Sequence, residues 1–128
     1  MKHMLAVIGA LCLLALAACS ASLQPVKLGQ LFDLAIGQGA VVAGENLVVR
    51  FNGVTEDSRC PTGAQCIWAG RASAEINLTK DGQSYTMVLV EPGRTEPQSE
   101  QYQSYRILYR ILPYPQVGQP IAKSDYRL

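Results

Sequence analysis

Histidine is almost missing from this chain. The single copy is His3, inside an apolar leader, so residues 19–128 contain no imidazole. That absence removes Ser–His and Cys–His catalysis and the usual histidine-based zinc sites from consideration. Met87 is the only methionine outside the leader, which leaves a thioether copper site without ligands. An excess of one charge is also lacking. With Lys2 set aside, ten Lys and Arg face ten Asp and Glu. Bulk attraction to nucleic acid is therefore not expected. There is no internal repeat or low-complexity segment, and no window carries the apolar period of an amphipathic helix.

The one long apolar run opens the chain. In MKHMLAVIGALCLLALAAC, Lys2 provides a positive start and residues 4–16 an apolar stretch, the layout of an export signal. It is short for a membrane-spanning helix, which needs roughly 20 apolar residues. Leu16-Ala17-Ala18-Cys19 resembles the lipobox of bacterial lipoproteins. By that resemblance residues 1–18 form a signal peptide, and Cys19 becomes a lipidated N-terminus whose acyl chains make membrane lipid its partner. Ser20, in place of an aspartate, resembles the outer-membrane default if the source is Gram-negative. Residues 19–26 are then a short tether, with a reach of roughly 23 Å from Ser20 to Val26 when extended. Residues 27–128 form one domain in a mature chain of 110 residues.

That domain reads as strand throughout. Residues 28–36 suggest a first strand and residues 40–43 a second, closed by the turn Gly44-Glu45-Asn46. Leu47, Val49 and Phe51 share one face of the next. Ala72, Ala74, Ile76 and Leu78 alternate with Ser73, Glu75, Asn77 and Thr79, and Lys80-Asp81-Gly82-Gln83 is a hairpin turn into residues 85–90. Residues 91–104, with two prolines and Gly93, read as a long surface connection. Tyr105, Ile107, Tyr109 and Ile111 then alternate with polar or outward positions until Pro113-Tyr114-Pro115 breaks the strand. A last strand is expected within residues 121–127. About seven short strands in this length predict an all-β antiparallel sandwich, immunoglobulin-like in outline.

The stretch EDSRCPTGAQCIWAG, residues 56–70, interrupts the alternation. Cys12 is lost with the leader and Cys19 is the lipid site, so Cys60 and Cys66 remain, in a chain bound for an oxidising compartment. Five residues separate them, including Pro61 and Gly63, with no helix to follow, unlike a Cys-x-x-Cys redox site. Two thiols without histidine do not complete a tetrahedral zinc site, and no metal or other cofactor is implied. Glu56 and Asp57 could offer oxygen to calcium, although Asp57-Ser58 also reads as a turn-capping pair. A structural disulfide fits best. Closing so short a loop restrains the unfolded chain by roughly 2–2.5 kcal/mol. Two structural expectations follow for the neighbours. Trp68, two residues beyond Cys66, should pack on the disulfide, and Gly70 should permit a bulge or close approach.

The pattern Phe51-x-x-Val54-x-x-Asp57-Ser58-Arg59-Cys60-Pro61, then Cys66-x-Trp68-Ala69-Gly70-x-Ala72, resembles a group of small bacterial lipoproteins and secreted proteins of unassigned function. Tyr105-x-Ile107 and Pro113-Tyr114-Pro115 look like the same group. The resemblance implies a compact β-domain with one disulfide and brings no catalytic residue.

These residues bear on three kinds of function. The first is a non-catalytic module of the cell envelope, lipid-anchored, that binds an envelope protein or glycan. Its loop of residues 59–65, offering Arg59, Pro61, Thr62 and Gln65, would be the contact surface, because a stiff loop loses little entropy on binding. The 91–104 connection, with Arg94 and Glu96, is a second surface. Tyr114, held between prolines, should be partly exposed, whereas Tyr105 and Tyr109 should be core. The alternative is a protease inhibitor that presents Arg59-Cys60 to a trypsin-like pocket. An enzyme is not expected, because the acids are scattered and no nucleophile elbow, phosphate loop or zinc motif is present.

Overall fold

The alternation becomes seven strands in two sheets. The computed structural model describes residues 22–93 and 96–128, so the expected signal peptide with His3 and Cys12, the expected lipidation residue Cys19, Ser20 and Arg94 lie outside the described residues. The strands are β1 (Leu23–Val26), β2 (Gly39–Val42), β3 (Leu47–Asp57), β4 (Arg71–Lys80), β5 (Gln83–Pro92), β6 (Gln98–Tyr102) and β7 (Tyr105–Tyr109). A five-stranded sheet runs β1-β2-β3-β4-β5, and β6-β7 form a separate ribbon. All pairs are antiparallel except β1 and β2. The class is therefore an all-β sandwich carrying a Cys60–Cys66 disulfide.

Local chemistry explains the central strands. Leu47 and Phe51 on β3, and Ala72, Ala74, Ile76 and Leu78 on β4, are buried, as their period of two requires. Lys80 pairs with Gln83 across Asp81 and Gly82, which have φ of 49° and 82°. Positive φ at both central residues is the signature of the type I′ turn that Asp-Gly favours. Two β-bulges bend β3, because its register passes from Phe51↔Ile76 to Gly53↔Glu75 and from Val54↔Ala74 to Glu56↔Ser73. The ribbon closes over this sheet. Tyr102 and Tyr109, with Ile111 just beyond, join Phe51, Ile76 and Leu89 in one hydrophobic cluster. Tyr105 and Ile107 pack against the same cluster.

Four expectations are corrected. Residues 28–36 do not form a strand; only Ala35 makes an isolated bridge, to Arg127. Gly29 has φ of 77°, and the side chains of Gln30 and Gln38 accept the Lys27 and Ala35 N–H groups, which diverts the backbone from a ladder. The sheet starts instead at β1, inside residues 19–26 read as tether. A four-residue segment with Pro25 is too short to show alternation, and Pro25 is tolerated because β1 is an edge strand. The 91–104 segment is not one surface connection. β5 continues to Pro92, and polar β6 (sequence QSEQY) exists because β7 pairs with it, not because it carries an apolar pattern. The expected last strand is a 3-10 turn over Lys123–Asp125, after which the chain end pairs singly. Leu128 exchanges both backbone hydrogen bonds with Leu34, at 2.9 and 3.0 Å, and Arg127 does so with Leu112, at 2.8 Å each.

Candidate functional site

The chain end brings Tyr126 to the base of the loop between β3 and β4. This loop, residues 58–70, is an irregular extension of the hairpin. Ser58 N–H donates to the Arg71 carbonyl at 2.7 Å and Cys60 N–H to the Ala69 carbonyl at 2.9 Å. Between these bonds the two limbs almost touch. Gly70 has φ of 70°, and a Cβ there would lie 1.8 Å from the Ser58 oxygen, so the expected close approach is real. Farther out, Cys60 and Cys66 are joined, with Cα atoms 5.9 Å apart. The clasped tip is tied down sideways as well: Thr62 N–H donates to the Pro115 carbonyl at 2.9 Å, and Val117 N–H to the Thr62 carbonyl at 3.2 Å.

Beneath the loop lies a cluster of buried charge. Arg59 is only 3% exposed and Glu91 only 2%. All five guanidinium N–H positions have acceptors. Nε donates to Asp57 Oδ1 at 2.9 Å; one terminal nitrogen donates to Glu91 Oε1 at 2.9 Å and the Ile111 carbonyl at 2.6 Å; the other donates to Asp57 Oδ2 at 2.6 Å and the Pro113 carbonyl at 3.0 Å. Glu91 Oε2 accepts the Ile111 N–H at 2.7 Å, and Tyr126 donates to Asp57 Oδ2 at 2.9 Å. Tyr114 lies against the guanidinium, its ring centre 5.0 Å from the central carbon. No buried side-chain N or O atom among the described residues lacks a partner. The cluster joins β3, β5 and the segment after β7 at one point, which is what holds the loop in place.

This geometry corrects two expected roles. Arg59 is not a surface residue of the loop. Asp57, two positions earlier on the same side of the extended chain, takes its fork, and Glu91 faces it from β5. Trp68 is not packed on the disulfide; it is 80% exposed, beside Ile67 at 93%. The rule that residues i and i+2 share a side holds for extended strand, and residues 66–70 are bends and coil. The other residues fall as follows. Thr62 and Gln65 are exposed, Pro61 and Tyr114 half-buried, and Asp57 half-buried at the cluster, where its Oδ1 also accepts the Arg59 backbone N–H at 3.3 Å. Two participants, Glu91 and the exposed Ile67, are not marked as site residues by any motif in the sequence. Only Glu91 left a signal. Counting by two from Leu89 places it on the inner face, an acid at a core position.

Comparison with protein-family models, with curated proteins and with solved structures gave no match. The function is therefore read from geometry. Among the described residues no three His, Cys, Asp or Glu side chains are grouped to hold a metal ion. Asp57, Pro61, Pro115, Gln119, Ile121 and Tyr126 line a shallow hollow of about 480 Å³ beside the cluster. Every guanidinium N–H is already bonded within the fold, so Arg59 offers a ligand in the hollow no free donor. The loop tip is different, since Ile67, Trp68 and, on the docked segment, Val117 (57% exposed) are large apolar groups in water on a braced frame.

The cluster makes stability depend on pH at both extremes. Burial opposes ionisation of Asp57, but hydrogen bonds from Arg59 and Tyr126 outweigh it and hold the carboxyl below its usual range. Its contribution is complete above the unfolded value of about 3.9 and is lost as pH falls through the folded one. Burial first, and then the bond to Asp57, pushes the Tyr126 hydroxyl up to about 12. That contribution is complete below the unfolded value of about 10 and is lost as pH rises toward 12. The urea midpoint should stay level from about pH 5 to pH 9 and fall on both sides. Tyr126→Phe should flatten the alkaline fall. Tyr109, whose hydroxyl is raised by burial, keeps part of that limb. A Tyr126→Phe curve with an unchanged alkaline limb sinks this account.

Proposed function

We propose that the protein is an exported, lipid-anchored, non-catalytic binding module of the bacterial cell envelope, and that the tip of the 58–70 loop is its contact surface. The observation that carries this reading is the exposed Ile67-Trp68 pair on a disulfide-braced loop. Tryptophan anchors are enriched among residues that dominate binding energy. A loop already fixed by a disulfide, by Gly70 and by the Arg59 cluster loses little further entropy on association. Thr62 and Gln65 supply exposed polar groups beside the apolar pair, suited to an envelope protein or a glycan. The inhibitor alternative loses its main residue, since an arginine held inside the fold cannot enter a protease pocket. Export and attachment through Cys19 are supported by the leader and the lipobox-like residues.

The test is site-specific photocrosslinking in intact cells, with the crosslinking residue at position 67 and a control at Thr86 on the exposed face of β5. An adduct from position 67 alone, weakened at least about tenfold by Trp68→Ala, is the expected result. Protein and saccharide adducts separate by protease digestion, and the intact mass of the same material reports any acyl groups on Cys19. Equal labelling at both positions, or none, refutes the loop as the contact surface.

A further inference from the structure

The inner face of the five-stranded sheet is wider than the two-stranded ribbon that covers it. Residues 27–34 span part of the remainder without forming a strand. Between these parts lies a cavity of about 770 Å³, within the range of roughly 300–1,000 Å³ seen for small-molecule sites. Val42, Leu47 and Val49 line it from the sheet, Phe32 from the 27–34 segment, and Tyr105 and Ile107 from β7. Four leucines of the lining are exposed: Leu28, Leu31, Leu108 and Leu112, of which Leu31 is 93% exposed. The charges around them are not balanced. Lys27, Arg106 and Arg110 belong to the lining, all three are exposed, and none forms an ion pair among the described residues. Asp33 is the one acid in the lining.

We propose that this cavity binds a free single-chain anionic amphiphile, an alkyl chain ending in a carboxylate. The chain lies between the two layers, and the carboxylate meets Lys27, Arg106 and Arg110. An alkyl chain needs no hydrogen bonds and fills a space lined by aliphatic and aromatic side chains, and it covers leucine surface otherwise left in water. The unpaired cations select the sign of the head group, since charge-assisted bonds to a carboxylate are the strong ones. A second copy of the chain is the poorer occupant. A two-fold contact sets the same patch against itself and would place these cations opposite one another.

Calorimetric titration of the purified full chain with dodecanoate, and separately with dodecanol, tests this. Dodecanoate should bind at one site and more tightly than the alcohol. The double variant Arg106→Glu/Arg110→Glu should weaken dodecanoate about tenfold or more while leaving dodecanol within about twofold, because only the head-group contact is removed. Both arginines are exposed, so the variant should fold, and circular dichroism checks it. Ile107→Trp, which fills the space, should weaken both ligands. No binding of dodecanoate overturns the proposal. So does equal affinity for acid and alcohol that ignores the charge reversal, or a chain that dimerises through this face and takes up neither. Trp68→Ala should leave dodecanoate binding unchanged, so this site and the loop tip stand or fall separately.

Discussion

Arg59→Met should lower the unfolding free energy by about 3–5 kcal/mol, the loss typical when one partner of a buried ion pair is removed. The side chain is fully enclosed and the facing Glu91 nearly so, so solvent does not screen the loss. The substitution leaves one buried and one half-buried carboxylate facing an apolar group, and it frees the Ile111 and Pro113 carbonyls. The cost lies in those abandoned partners more than in the pair itself, because removing charges from water offsets most of their attraction. The compensated variant separates the two contributions. Arg59→Met with Glu91→Gln removes one stranded charge and should recover part of the loss. Urea unfolding followed by circular dichroism measures both. On a domain with the usual 5–15 kcal/mol, the single variant should be clearly destabilised. A loss below about 1 kcal/mol would mean that water reaches the guanidinium and that the cluster does not hold the loop.

Gly70→Ala should cost on the order of 3–5 kcal/mol, from left-handed strain and from the backbone bonds that must open. At a separation of 1.8 Å the new Cβ and the Ser58 oxygen cannot coexist, and the obstacle is backbone, which has no rotamer to change. Separating the limbs opens the Ser58–Arg71 and Cys60–Ala69 hydrogen bonds and shifts Arg59, whose Cα lies 2.9 Å from the same point. Gly93 is involved too, since its N–H donates to the Gly70 carbonyl at 2.9 Å. Gly29→Ala is the matched control. Gly29 has φ of 77° with open space around the position of a Cβ, so it carries the strain without the collision. Its expected cost is about 1 kcal/mol. Similar denaturation midpoints for the two variants would show that conformation, not close approach, is what Gly70 provides.

The two predictions differ in how far the sequence foresaw them. Gly70 was legible because a glycine between a clasped loop and an alternating strand marks a close approach whatever surrounds it. Arg59 was not, because only Asp57 among its partners is near in the chain, and Glu91, Ile111 and Pro113 lie 32, 52 and 54 residues away. An arginine in a disulfide loop looks like a surface residue until those partners are known.

The sequence by itself determined what depends on neighbours. A period of two set the inward faces of residues 47–51 and 72–78. Asp81-Gly82 set the hairpin, and two cysteines six positions apart set the disulfide. The conformation of each segment follows from local sterics and covalent chemistry, so no distant contact was needed. Tertiary structure alone decided which residues at the loop face in and which face out. Burial of Arg59 requires acceptors from β3, β5 and the chain after β7 at one point, and only the closed sandwich assembles them. With that side chain inside and the limbs pinned at Gly70, the apolar Ile67 and Trp68 are left in the solvent, the reverse of what their hydropathy suggests.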